Sequence, residues 1–593
     1  MNIKSIKPHF IVLLLFSITI GLYYGSLVMV QGNQNILNLD DNRVMMYLFE
    51  NRLHLSDIFN PDRHGKYYRP VIDLSYLIDQ RIWGDTPSGY RLTNIVIHAF
   101  NSVLLFIVSS LLLFKEEQGK KISFYTALLF SIHPVAVESV SWISGRTDPL
   151  AAFWSLLAII FYLTAKQKRK GAFAAMSVIF IVAAILSKEV ALAAPLVIMG
   201  FEVFYSNSFG CKRGKYSLTL SVLLLAAIAV YFVTRFYLIS NGNIGFELLE
   251  ERLFNSKAFL NLKQFFAAYG FYLKKFVYPF PLNLAIYKIN TVFYAVTGFA
   301  SFIIFFLTFF VKRWRRYHFY FFWALLGLGP AALLSLTDIA WTHWAERYLY
   351  FSLAPLSSLS VLTVFSITDK TGGPYRKTVF GLFLLILLIF AVSSYNRSLT
   401  MSDNEAIWRD TYKKSPSFTA AYTSYANTLA INNKLDKAEE VLNEAMQLDG
   451  AKHLLYFNMG HIKRKRGDYS EAESYYTLAL KEAREDKKLV TVGPTLRRDI
   501  LSSMGDLELE KAVLSDSAID KKEHYIKAVR YLIRADEESS TPFLLYRIGK
   551  LYMRIGENIK AANYFRSFLA RWPSDHYSAA AKKMLDRIEK NNG

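Results

Sequence analysis

The chain has 593 residues, 53% of them hydrophobic, and carries a net charge of +21 from 69 Lys+Arg against 48 Asp+Glu. So apolar a chain excludes intrinsic disorder, which needs low hydrophobicity, and argues against a nucleic-acid binder, which needs its basic residues on a soluble face. The single cysteine, Cys211, excludes an intramolecular disulfide or a cysteine-based zinc site.

Residues 1–400 hold a net charge of +17 and residues 401–593 only +4. The two parts read as different domains, a multi-span membrane domain over 1–400 and a helical-repeat domain over 401–593. Apolar runs long enough to cross a bilayer, which takes about 20 residues, occur at Ile11–Val30, Leu92–Phe114, Ser217–Tyr237, Val292–Val311 and Val379–Tyr395. The first is too long for a signal-peptide core and reads as a retained anchor. Six short segments, Lys4–Lys7, Lys115–Lys121, Lys166–Lys170, Lys212–Lys215, Lys312–Arg316 and Lys370–Lys377, hold 19 Lys+Arg, opposed only by Glu116, Glu117 and the adjoining Asp369. Placing all six in the cytoplasm predicts about eleven spans, with the N-terminus inside and everything after Tyr395 outside. Phe259–Tyr287 is then expected to lie in the outer interface, ending in the turn Pro279–Phe280–Pro281.

This topology collects ionisable residues at the outer membrane face: Asp40–Asp41, Lys66–Pro70, Glu138, Gly145–Asp148, Ser187–Glu189 and Trp344–Tyr350. Charges at membrane depth are costly and are functional candidates by default. Each also has a structural reading. Asp40–Asp41 would start a solvated loop or cap the following helix, Glu138 would pair with Arg146, and Asp148 would sit on a helix dipole. Lys188 would neutralise Glu189, and Arg347 would pair with Glu346. His133 before Pro134 reads as a kink-site residue and His98 as a buried polar contact. No metal-ligand spacing, Walker loop or dinucleotide fingerprint occurs.

Beyond residue 400 the sequence repeats with a period near 34, Ala438 to Ala472 being one full step. Tyr422, Ala426, Leu429, Ala438, Leu442 and Ala445 fit a first tetratricopeptide unit, and Tyr456, Gly460, Ala472, Tyr476 and Ala479 a second. Gly505, Ala528, Leu532 and Ala535 fit a third with an 11-residue insertion between its helices, and Gly549, Tyr552, Ala561, Phe565 and Pro573 a fourth. Ser578–Lys590 reads as a capping helix. The prediction is an all-α protein whose solenoid offers a concave surface to a peptide or protein.

A carboxylate beside guanidinium and ammonium groups at the outer surface suits transfer from a lipid phosphate. Arg binds phosphate bidentately, Lys acts as a point charge, and the carboxylate takes the proton of an acceptor hydroxyl.

The motifs Asp40–Asp41, Tyr68–Pro70, Pro87–Asn94 with His98 and Asn101, His133–Val135 with Glu138, Gly145–Asp148, Ser187–Glu189, Tyr278–Leu282 and Glu346–Tyr350, in this order, resemble the transmembrane-and-tetratricopeptide family of O-mannosyltransferases, and most of all its bacterial members with few repeats. The short Tyr237–Lys263 loop and the few repeats depart from the animal members and leave the acceptor open between protein and glycan. The resemblance implies a GT-C-like membrane fold and inverting transfer of mannose or a similar sugar from a polyprenyl-phosphate donor. It implies Asp41 as general base with Asp40 as partner, the choice between them left open. Arg347 would hold the donor phosphate with help from Lys188, while Glu138, Arg146, Asp148, Glu189, Glu346 and Tyr348 shape the site. No cofactor is assigned, and a divalent cation is left open. The expected partners are the lipid-linked sugar, the membrane and an acceptor recruited by the repeats, not nucleic acid. The ending Lys590–Gly593 lacks a luminal retention tetrapeptide. With the short repeat array, this gives the expectation of a bacterial inner membrane with the repeats outside. A non-catalytic membrane-anchored repeat scaffold and a lipid or polymer transporter are the alternatives.

Overall fold

Apolar runs of bilayer length and a small-large repeat of period 34 impose different packings. The chain accordingly forms two compact units, Met1–Ile407 and Trp408–Gly593. The computed structural model describes residues 7–28, 55–58, 68–204, 229, 258–311, 314–336, 342–370, 373–448, 450–485, 493–573 and 575–592. Helices dominate them. Among the described residues the extended backbone pairs once, in an isolated bridge between Ile286 and Trp344.

In the first unit six helices are long and apolar enough to cross a membrane: Pro8–Leu27, Pro87–Leu112, Ile143–Lys168, Arg315–Leu334, Glu346–Lys370 and Gly373–Met401. Gly171–Ile185 and Thr291–Leu307 are shorter apolar helices. The chain is thus a multi-pass membrane protein. In Gly373–Met401 only 22% of the most apolar window is buried. Leu382, Leu385, Leu388 and Ile389 stand exposed, a continuous apolar face that suits lipid rather than water. The expected run Ser217–Tyr237 lies outside the described residues save for position 229. The segment expected in the outer interface forms the helix Ala258–Val277, which is not among the six. It crosses Thr291–Phe309 closely through Gly270 and Gly298, where a Cβ on either would collide with the other helix's backbone.

Charged residues cannot sit in the middle of these apolar helices, and the fold gathers them in short turns that lead into them. The 3₁₀ turns Ile143–Arg146, Glu189–Leu192 and Glu346–Leu349 run directly into Thr147–Lys168, Ala193–Phe204 and Tyr350–Lys370. The short helix Ala136–Ser141 folds back on the first turn because residue 145 is glycine. A Cβ there would lie 2.8 Å from the Ser139 carbonyl and 3.0 Å from that of Glu138. That approach fixes Glu138 and Arg146 on one short stretch of backbone.

In the second unit the helix pairs Thr419–Ile431 with Leu435–Met446, Lys452–Arg466 with Tyr469–Glu485, Gly493–Leu514 with Ala518–Glu538, and Pro542–Ile555 with Asn558–Arg571 follow one another. Ser578–Asn592 closes the row, burying Ala581, Leu585 and Ile588 against the fourth pair. The small residues of the repeat, Ala438, Ala445, Ala472, Ala479, Ala528, Ala535 and Ala561, are wholly buried. They let paired helices approach closely, the condition for stacking repeats into one core.

The third pair corrects one expectation. No insertion separates its helices, which are 22 and 21 residues long and joined across Ser515–Ser517. The extra residues lengthen both helices because the buried stripe continues through Leu507, Ala512 and Val529, so helix is the conformation that buries them.

Candidate functional site

The short turns of the first unit carry opposite charges next to one another in sequence. Consecutive residues in a turn project in different directions, so each finds its partner on another element. Arg347 pairs with Glu138, its backbone N–H donating to Glu138 Oε2 at 3.0 Å and its guanidinium bonded to Oε1. Lys188 Nζ donates to both oxygens of Asp148 at 2.6 Å. Arg69 Nη2 donates to Glu189 at 2.7 Å, and Lys275 Nζ donates to Glu346 at 2.7 Å. The sequence-local pairings Glu138–Arg146, Lys188–Glu189 and Glu346–Arg347 are therefore corrected.

Tyr348 joins two of these pairs. Its ring lies 4.9 Å from the Arg347 guanidinium and 5.7 Å from Lys188 Nζ. Trp142 lies on the same guanidinium at 5.0 Å. Glu138, Arg347, Tyr348, Lys188 and Asp148 thus form one cluster, with Glu189 and Glu346 attached as the sequence neighbours of Lys188 and Arg347. Within it the two signs are not equally placed. The side chains of Arg347 and Lys188 are 17% and 14% exposed, whereas those of Glu138 and Asp148 are 1% and 3%. The carboxylates lie beneath and the cations face the accessible side. Burial pulls the Lys188 ammonium below its ordinary pKa, opposed by Asp148. Asp148 also sits in the first turn of Thr147–Lys168, where the helix dipole favours an anion.

Arg146 is committed elsewhere. It is wholly buried, donates from Nε to Asn94 at 2.6 Å and from Nη2 to the Tyr90 carbonyl at 2.9 Å, and pairs with Asp79. Its guanidinium also lies 4.5 Å over Tyr76. Asp79 is held in turn by Thr93 at 2.8 Å. This lock ties Pro70–Trp83, Pro87–Leu112 and the Ile143–Arg146 turn together, so Arg146 braces the backbone that carries Asp148.

The two histidines have structural contacts. His133 Nε2 meets the Phe276 carbonyl at 2.9 Å while Val135 N–H donates to its Nδ1. His98 bridges the Tyr350 hydroxyl at 2.7 Å and the Ser131 carbonyl at 3.1 Å. Asp40 and Asp41 lie outside the described residues. Among the described residues no group of three or more His, Cys, Asp or Glu is arranged to hold a metal ion. Asp79 and Lys275 escaped the sequence reading. Asp79 reads as a surface residue of an ordinary helix. Lys275 had a signal, a lysine pair closing an apolar helix before Pro279, and that signal indicates only an interruption.

A tetratricopeptide repeat model matches residues 455–490. Among curated proteins the chain is similar to protein O-mannosyl-transferase Tmtc1 of Drosophila melanogaster, 27% identical over 186 residues, 31% of this chain and 21% of that protein. It is similar to human protein O-mannosyl-transferase TMTC3 at 28% over 188 residues, 29% and 20% of the two chains. Human TMTC4 is 34% identical over 119 residues, 18% and 16%. The matches thus span about a fifth of the curated relatives' own length. Among solved structures, one titled "Crystal structure of APC/C hetero-tetramer Cut9-Hcn1" aligns with 91% of this chain and 99% of its own, at a TM-score of 0.24 and 12% identity. The curated proteins to which this chain is similar are thus named protein O-mannosyl-transferases, as are the members of the family its membrane motifs resemble, and the chain carries a tetratricopeptide repeat.

Proposed function

We propose that the chain is an integral membrane glycosyltransferase that moves mannose or a similar sugar from a polyprenyl-phosphate donor to a hydroxyl of a protein or glycan on the outer membrane face. One observation supports this most directly. Two cations, Arg347 and Lys188, face the accessible side of a cluster whose carboxylates lie beneath them. That polarity suits an anion arriving from outside, and a lipid phosphate at the membrane surface fits it. Arg347 would take two phosphate oxygens through its guanidinium and Lys188 a third as a point charge. Tyr348 and Trp142 hold the guanidinium in place by stacking.

In the reaction the acceptor oxygen attacks the anomeric carbon as the bond from that carbon to the phosphate oxygen breaks. The electron pair leaves with the polyprenyl phosphate, where Arg347 and Lys188 stabilise the charge. The acceptor's proton passes to a carboxylate, for which Asp41 with Asp40 is the proposed pair, and the sugar inverts. The membrane domain over 1–400 would do this chemistry, and the repeats over 401–593 would present the acceptor. With the six basic segments in the cytoplasm, the N-terminus would lie inside and both the site and the repeats outside, in what we read as a bacterial inner membrane.

The test is transfer from undecaprenyl-phosphate mannose by membranes carrying the full chain, read by mass spectrometry of outer-face proteins and glycans. Asp40→Asn and Asp41→Asn variants should insert normally, and at least one should lose transfer. Full activity in both would remove the proposed base. Retention of the biological role by the repeat unit alone would favour a scaffold instead.

A further inference from the structure

Four ion pairs surround the site, and one differs from the others. Lys275 and Glu346 have side chains only 4% and 1% exposed, so this cation is not offered to a ligand. Lys275 Nζ is instead fully engaged by the protein. It donates to Glu346 Oε1 at 2.7 Å, to the Pro279 carbonyl at 3.0 Å and to the Pro281 carbonyl. Glu346 Oε1 also accepts the Asn283 backbone N–H at 2.9 Å. The neighbouring Lys274 reaches the Phe280 carbonyl.

These bonds bind the Pro279–Asn283 strand of chain to the turn that bears Arg347. The stitching continues on both sides. Ile286 bridges Trp344, the Tyr272 hydroxyl accepts the Ala345 N–H, and Phe271 lies against Trp344. Arg347 itself is fixed from the opposite direction by Glu138, which takes both its backbone N–H and its guanidinium. The turn Glu346–Leu349 is therefore held between two buried charges, Lys275 on one residue and Glu138 on the next.

We propose that Lys275 is a positioning residue for donor binding: through Glu346 it sets the turn so that the Arg347 guanidinium faces the donor phosphate. This rests on the donor-site reading of Arg347 given above. Lys275 does not touch the donor; it acts through Arg347. A lysine suits this role because a compact ammonium with three donors can hold two carbonyls and a carboxylate at once, which a planar guanidinium does less readily.

The experiment measures binding of undecaprenyl-phosphate mannose to the purified full chain in detergent, with the thermal midpoint recorded for every variant. Lys275→Met should weaken binding about tenfold. Lys275→Arg, which keeps a positive charge and N–H donors toward Glu346 and the Pro279 and Pro281 carbonyls, should recover part of that loss. The deciding arm is a double-variant cycle with Arg347→Gln. If Lys275 acts through Arg347, adding Lys275→Met to Arg347→Gln should weaken binding no further. Additive losses in the cycle, or Lys275→Met binding as the parent does, would overturn the positioning role. Arg347→Gln binding as the parent does would instead overturn the donor-site reading on which it rests.

Discussion

The two units differ in where most of their ion pairs lie, though each also holds a buried carboxylate, Glu508 with Lys511 and His524 in the repeat unit. In the membrane unit, the pairs Arg347–Glu138, Lys188–Asp148 and Arg146–Asp79 join partners distant in sequence and bury at least the anion. In the repeat unit, the pairs Arg566–Glu589 and Lys527–Glu523 stand about half exposed along the surface, and the core is alanine, leucine and aromatic rings. A half-exposed pair gains little because water screens it and two long side chains must be ordered. A buried pair is different, since losing one partner strands a charge out of water. The membrane unit concentrates its energetic risk where its chemistry is proposed. The repeat unit spreads its stability over many interchangeable contacts.

Breaking one partner of a buried pair should therefore give the largest effect. Asp79→Ala, which strands the wholly buried Arg146 guanidinium, should cost the membrane unit about 3–5 kcal/mol, read as a lowered thermal midpoint of the full chain in detergent. A value under about 1 kcal/mol would dissolve the contrast between the units.

Next comes overpacking in the solenoid. A Cβ at Gly460 would lie 2.6 Å from the Tyr476 ring, so Gly460→Val should cost about 1–3 kcal/mol. A neutral result in chemical denaturation would mean that the helices of the second repeat can separate freely.

Acid sharpens the comparison further. Burial, with Arg464 nearby, lowers the His461 pKa from 6.5 to about 4. The folded repeat thus holds this imidazole neutral while the unfolded chain protonates it. Stability should be full above about pH 6.5, fall by up to one proton's slope as pH drops toward 4, and flatten below that. His461→Gln should remove that component of the pH dependence in thermal melts of the repeat unit, and an unchanged profile would assign it to other groups.

The smallest effect is expected at the surface. Arg566→Ala, losing the 2.7 Å contact with Glu589, should cost less than about 1 kcal/mol and nothing measurable in high salt.

The periodic features were legible in advance. The wholly buried positions Ala438, Ala472, Ala528 and Ala561 are those picked out by spacing, and helices form at Pro87–Leu112 and Gly373–Met401, where apolar length predicts them. Periodicity is local, and a helix or a helical pair is decided over a few turns of chain. The site was legible only as an inventory. Glu138, Asp148, Lys188, Glu346 and Arg347 were recognisable as charges where an apolar chain should have none, but their partners were not. Local reading joined Lys188 to Glu189 and Arg347 to Glu346, whereas the fold joins Lys188 to Asp148 and Arg347 to Glu138.

What the sequence by itself determined is the class of each unit, because hydrophobic length and small-residue spacing are properties of neighbouring residues. The tertiary structure alone decided the lengthened third helix pair, the diversion of Arg146 to Asp79, and the sealing of Lys275 beneath the Arg347 turn. Each of these depends on which helix ends meet. That is fixed by packing across the whole unit, where a buried charge must take whichever opposite charge and hydrogen-bonding groups the assembled backbone brings within reach.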